Sequence, residues 1–244
     1  MSKIGEISYN SKGEKMTIVE YRNSQDIDIM FDDGTIVKNK RYWNFRKGNV
    51  LNPFTPSVYG AGYLGNSSCK ENGEYKKAYE VWRKMIERCY SSEYHKRQQT
   101  YIGCTVCEEW LCFTTFEKWF NKNYYELPNE KVCLDKDLFF KGNKVYSPQT
   151  CTFIPNSINV AISSGGFIKS NDLPKGVSKQ KNKYRSQISI NGNKKHLGTF
   201  NTFEEAYECY CKARKKYLSE LAEQYKQYLD FRAYEILIDW KEGL

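Results

Sequence analysis

Alternation from Lys183 to Ile190, interrupted by Asn191-Gly192 and resumed from Lys194 to Phe200, constrains the fold of this chain more than any other stretch. Side chains of a strand point to opposite faces with a period of two. Lys183, Arg185, Gln187 and Ser189 therefore share one face, and Tyr184, Ser186, Ile188 and Ile190 the other. Asn-Gly accepts positive φ at both central positions of a two-residue hairpin, so the two runs are expected to pair. Thr202, followed three residues later by Glu205, predicts a capping box at a helix start. Beyond it Phe203, Ala206, Tyr207, Tyr210, Cys211, Arg214 and Tyr217 recur at helical spacing. Such a stripe can cover one face of the sheet and leave the polar face open.

Charge bears on what that open face meets. From Asp172 to Tyr217 there are eleven Lys or Arg against four acids, which is most of the net charge of +9 carried by the whole chain. A basic surface of this kind is often only solvated. A strand face bearing Lys, Arg, Gln and Ser also suits double-stranded DNA, where cations meet phosphates and Arg, Gln and Ser reach base edges in the major groove.

The order Gly-Val, a basic loop, an aromatic-Arg strand, KKHLGTF and a Phe-Glu-Glu-Ala helix resembles the APETALA-type DNA-binding domain of plant ethylene-response factors and of many phage and mobile-element proteins. The resemblance covers residues 172–225. It implies a three-stranded sheet lying in the major groove, with Lys175, Ser178, Lys183, Arg185, Gln187, Ser189, Lys194 and His196 at the contacting positions. Ser178, Ser189 and His196 stand where that family usually carries Arg or Trp, so its base preference does not transfer.

The remainder of the chain reads as further small modules. At 244 residues, with sixteen per cent aromatic residues and a mean hydropathy of −0.75, it has enough Phe, Trp and Ile for real cores while staying polar overall. No apolar run reaches membrane-spanning length and the amino terminus lacks the apolar segment of a signal peptide, so a cytoplasmic location in a phage or bacterial host cell is expected, with no membrane partner. Nine cysteines is an odd count without a disulfide framework, which points to reduced thiols.

Residues 1–65 carry short strands at Lys15–Tyr21, Asp26–Phe31 and Thr35–Lys40, with Asp33-Gly34 as a turn, and a small bent β-barrel is expected. Tyr42, Trp43 and Phe45 can form its core or a binding patch. Gly60 to Gly65 satisfies G-x-G-x-x-G, but prolines precede it and no helix signal follows, so it reads as a turn-rich connector leading into a linker at 66–74.

From Tyr75 the period becomes helical, with Ala78, Trp82, Met85, Ile86 and Cys89 on one face, and Thr114 to Glu117 predicts the start of a second helix. The series Trp-x-x-Met-x-x-Arg-Cys-Tyr, Tyr-x-Gly-x-x-Val-Cys-Glu-Glu-Trp, Leu-Asp-Lys-Asp, Gly-Asn, Tyr-Ser-Pro-x-Thr-Cys and a final Asn, within 75–165, is similar to a phage-borne branch of the HNH, or ββα-metal, endonucleases. That likeness implies a hairpin plus helix in which Asp135 and Asn159 hold Mg²⁺ or a similar divalent cation. Lys136 occupies the position of the general-base His, and a protonated ammonium can stabilise phosphate charge but takes no proton from water. His95 lies in a charged segment read as an exposed loop. Cys104-x-x-Cys107 has one zinc-like spacing but no second pair and no spaced His, which favours free thiols over structural zinc.

The sequence thus implies an α+β multidomain protein: a small N-terminal β-barrel, an HNH-like ββα module, the sheet-plus-helix domain, and a helical extension at 226–244. Two functions follow. One is a homing-endonuclease-like enzyme that binds double-stranded DNA through its C-terminal sheet and hydrolyses a phosphodiester with one metal ion. The other is a catalytically inactive DNA-binding regulator or interference factor that acts on a host or rival protein system.

Overall fold

The computed structural model describes residues 3–163 and 173–241. Asp172, counted in the charge balance above, and the junction at 164–172 lie outside the described residues, as do 242–244. The architecture is mixed α and β, and the chain divides into two compact units, Met1–Tyr90 with Glu108–Phe116, and Ser91–Cys107 with Glu117–Leu244.

The first unit opens with β1 (Ile7–Tyr9), β2 (Lys15–Asn23), β3 (Asp26–Phe31) and β4 (Ile36–Lys40), an antiparallel meander in sequential order. Ile27, Ile29 and Phe31 are buried together with Met16 and Ile18, as the alternation implies. The expected barrel does not close. Among the described residues β1 and β4 stay at the two edges, and helix α1 (Tyr42–Arg46) supplies Phe45 to the same core. The aromatic cluster is therefore divided, with Phe45 buried and Trp43 66% exposed.

The glycine-rich connector is a packed turn region, not a nucleotide loop. Gly62 abuts the Trp82 ring and Gly65, at φ +63°, abuts Cys112 and Thr114. A hairpin of β5 (Lys70–Glu71) and β6 (Glu74–Tyr75) follows, turning through Asn72 and Gly73 at positive φ within the stretch read as linker. Helix α2 (Lys77–Tyr90) buries Ala78, Trp82, Met85, Ile86 and Cys89, the five residues of the apolar stripe.

Helix α3 (Ser92–Arg97) begins the second unit and carries His95, half-buried on a helix and not in an exposed loop. Strand β7 (Thr105–Val106) is followed by α4 (Glu108–Leu111) and α5 (Phe113–Asn123). Thr114 lies inside α5 and its hydroxyl donates to the Leu64 carbonyl, so the expected capping box does not form there. Next come β8 (Val132–Asp135), β9 (Val145–Tyr146), which pairs in parallel with β7, and β10 (Thr152–Pro155), which pairs antiparallel with β8. Helix α6 (Asn156–Ile162) completes a ββα arrangement.

Strands β11 (Val177–Gln180), β12 (Lys183–Ile190) and β13 (Asn193–Phe200) form an antiparallel sheet in that order, backed by α7 (Phe203–Tyr225), with α8 (Phe231–Ile238) after it. Asn191 and Gly192 both take positive φ, the geometry the hairpin requires. The box of Thr202 and Glu205 caps α7 as its sequence implies. Tyr210 packs on Gly176, where a Cβ would lie 2.1 Å from the ring, so glycine is demanded by space as well as by its φ of +81°.

One core joins these parts. Leu138, Ile154 and Ile158 from the hairpin and α6 are buried with Ile188, Tyr210, Leu218 and Leu237. Helix α6, only seven residues long, is held at both ends by charged side chains from elsewhere. Glu130 accepts from the Ser157 N–H at its start and from the Tyr225 hydroxyl. Arg214, 2% exposed, donates to the Ala161 and Ile162 carbonyls at its end, both at 2.9 Å, and stacks on Trp240. Carboxylate at the helix start and guanidinium at its end both oppose the local dipole. Replacing Arg214 by Met strands those carbonyls, and a loss of about 2–4 kcal/mol is expected in urea unfolding. A loss below about 0.5 kcal/mol, the scatter of ordinary surface changes, contradicts the clamp.

Candidate nucleic-acid interface and the Asp135 hairpin

Register fixes which side chains share the outer face of the C-terminal sheet. Ser178 lies opposite Arg185, Gln187 opposite His196, and Ser189 opposite Lys194. With Lys183 at the start of β12, seven of the eight candidate DNA-binding residues fall on this face. The inner positions Ser186 and Ile188 are buried, as the alternation requires. Lys175 is placed differently. It sits in the turn before β11, half-buried, lining a cavity of ≈ 200 Å³ with Gln187, Ser189, Lys194 and Arg214.

The eleven cations of the region are not equivalent. On α7, Lys212 pairs with Glu208, Lys215 with Asp239 and Lys216 with Glu220, while Arg214 is buried. The other seven lie between Lys175 and Lys195, and no Asp or Glu occurs from Leu173 to Phe200. The cations of the sheet and its turns thus have no acid in their own segment, unlike those of α7.

A β-bulge sits in this face. The register shifts between Ser186 and Gln187, which leaves Leu197 unpaired on β13. Leu197 and Phe200 then turn inward while His196 and Thr199 stay outward, and Gly198 gives room to the Phe200 ring, 2.9 Å from where its Cβ would stand. On the outer side Arg185 Nε donates to His196 Nδ1 at 3.3 Å.

Asp135 ends β8 opposite Thr152. Its Oδ1 accepts the backbone N–H groups of Asp137 (2.9 Å) and Leu138 (2.7 Å), which starts the turn after the strand. Burial pushes this carboxyl above its usual range, with the nearby Asp137 carboxylate adding to the effect, against the lowering by the two N–H donors. Asn159 is half-buried on α6, the helix that follows β10, and its carbonyl accepts from Ser163. A carboxylate and an amide oxygen are each ligand types of a hydrated hard cation. Among the described residues no three His, Cys, Asp or Glu side chains converge on a common point.

Lys136 is 9% exposed and its ammonium is committed. It donates to both Asp137 carboxylate oxygens, at 2.7 and 2.8 Å, and to the Asn143 carbonyl at 2.5 Å. Asn143 answers with its amide, donating to the Lys136 and Val145 carbonyls at 2.9 and 2.7 Å. The lysine therefore staples the 136–145 loop, a role shared with Asp137 and Asn143 that the motifs Leu-Asp-Lys-Asp and Gly-Asn do not by themselves reveal. The Gly142-Asn143 pair was the visible signal. Cys104 and Cys107 flank β7, and the buried Cys151 thiol is pushed up to about 12 by desolvation.

Comparisons with protein-family models, curated proteins and solved structures find no match to this chain.

A carboxyl raised in the folded state binds its proton more tightly there than in the unfolded chain, so its contribution to stability is present at acid pH and is lost as pH rises through the folded value. Asp135→Asn keeps an oxygen for the two N–H donors and removes that loss. Its thermal midpoint is expected to exceed the wild type at neutral pH, with the gap closing as pH falls toward 4, about the ordinary carboxylate range. An equal or lower midpoint at neutral pH contradicts the raised carboxyl.

Proposed function

We propose that this chain binds double-stranded DNA with the outer face of β11–β13 in the major groove. One observation carries the reading: Lys183, Arg185 and Lys194 are arrayed with Gln187 and Ser189 on a sheet whose other face is covered by its own helix, with four further Lys and no acid in the same stretch from Leu173 to Phe200. A two- or three-stranded ribbon fits the width of the major groove. Phosphates take the lysines of the turns, and Arg185, flanked by Ser178, Gln187 and Thr199, reads base edges.

The hairpin of β8 and β10 with α6 contributes a second DNA-facing element in this reading, not a water-activating site. Lys136 supports that choice, since its amine is spent on Asp137 and Asn143. Metal-dependent hydrolysis stays the second reading because Asp135 and Asn159 supply two oxygens, and a carboxyl that costs stability is the kind of group retained for chemistry. The binding reading expects Lys136→His to lower thermal stability, by opening the 136–145 loop, without producing cleavage of plasmid DNA in Mg²⁺ or Mn²⁺. Efficient cleavage by the wild type, lost in Asp135→Ala, reverses the order of the two readings.

Because α7 and the hairpin share a core, charge reversal tests the binding surface more cleanly than deletion. Lys183→Glu with Lys194→Glu, both exposed, should weaken duplex binding at least about tenfold at moderate salt and flatten the dependence of log K on log salt by about two ions. Unchanged affinity with intact folding rules the face out. Arg185→Ala should reduce discrimination between duplexes by about 1–3 kcal/mol, whereas Lys181→Ala in the β11–β12 turn should weaken all duplexes alike. Equal behaviour of the two variants removes Arg185 from base readout.

A further inference from the structure

The Arg185–His196 bond crosses the centre of the outer face, and its chemistry depends on one lone pair. Arginine has no acceptor, so a guanidinium Nε–H 3.3 Å from His196 Nδ1 requires that nitrogen to be unprotonated. His196 stands outward opposite Gln187, next to Arg185 on the same face, and past the bulge at Leu197 it is Thr199 that stands opposite Arg185. With Nε tied to the imidazole, the end-on pair of Nη groups remains as a fork of the kind that meets O6 and N7 of guanine.

We propose that His196 is the positioning residue for Arg185, fixing the guanidinium for guanine readout only while its imidazole is neutral, so that sequence discrimination falls as the protein is acidified. The inference rests on the DNA-binding reading above. On this face His196 meets Arg185 and Gln187 from β12 and Lys194 from its own strand. Helix α7, with its Glu204, Glu205 and Glu208, covers the opposite face, and no acid lies within the sheet itself. Protonation therefore has two opposed effects. It removes the acceptor and sets cation against cation at Arg185, loosening readout, and it adds one positive charge facing the phosphates, strengthening non-selective binding.

Those opposed signs make the test. Full-length protein selects a preferred duplex from a random library at pH of about 8, and its affinity for that duplex and for a scrambled duplex is measured from there down to about 5.5, across the range where imidazoles titrate. The wild-type affinity ratio should fall at least about fivefold. Binding to the scrambled duplex should tighten, with a salt slope steeper by about one ion. His196→Phe, which keeps the ring but not the acceptor, should show the low ratio throughout. His196→Asn, whose Oδ1 can accept the Arg185 Nε–H without titrating, should keep the high ratio at both ends.

A flat wild-type ratio, or a His196→Phe variant that discriminates as well as wild type, overturns the positioning role while leaving DNA binding intact. A protein that binds neither duplex at any pH overturns the DNA-binding reading and the positioning role together.

Discussion

Arg214 is the interaction on which the second compact unit depends. A seven-residue helix has little stability by itself, because nucleation costs more than so few hydrogen bonds return. Helix α6 persists because Glu130 meets the Ser157 N–H near its start and Arg214 meets its last carbonyls. Burying a guanidinium costs several kcal/mol, on the order of 2–5, unless its donors are met and its plane is stacked. Here two carbonyls and the Tyr210 hydroxyl accept from its Nη groups and the Trp240 ring lies over its plane, which offsets most of that cost and leaves Nε without an acceptor among the described residues. Since Arg214 and Tyr225 both belong to α7, the helix that backs the basic sheet also holds the helix that backs the Asp135 hairpin. The basic face and the hairpin are consequently parts of one packed body.

That arrangement separates the charges by role. Cations on α7 are neutralised by neighbouring carboxylates or buried as structure, whereas those of β11–β13 and their turns have no acid in their own segment. Lys136 belongs to the first kind despite its place beside Asp135. Like charges gathered on one sheet and its turns repel and cost some stability, and they raise the positive potential at that surface. In the DNA-binding reading proposed above, Lys in the turns serves contacts common to all DNA, and the Arg, Gln and Ser face serves those that differ between sequences.

Much of this was legible locally. The five buried residues of α2, the Asn191-Gly192 turn and the Thr202–Glu205 cap rest on spacings within a few residues, and each forms as the sequence implies. Non-local features were not legible. The stripe on α7 pointed Arg214 inward, but its acceptors lie more than fifty residues earlier, at Ala161 and Ile162. Lys136 read as a cation facing substrate, and only the fold of the 136–145 loop brings Asn143 back to it. The sequence HLGTF alternates whether or not Leu197 bulges, so the partner of Arg185 was hidden in the register. Barrel closure likewise depends on whether β1 meets β4, a pairing no local pattern encodes, and α1 takes up the core instead.

The central claim is that β11–β13 lies in the major groove, and chemical protection of bound duplex tests it most directly. Dimethyl sulfate methylates guanine at N7, in the major groove, and adenine at N3, in the minor groove, so one reagent reports on both grooves. Bound protein is expected to protect guanine N7 within its site and leave adenine N3 reactive, with the N7 protection lost in Arg185→Ala. Protection of adenine N3 alone, or stable binding that protects neither position, contradicts a sheet seated in the major groove.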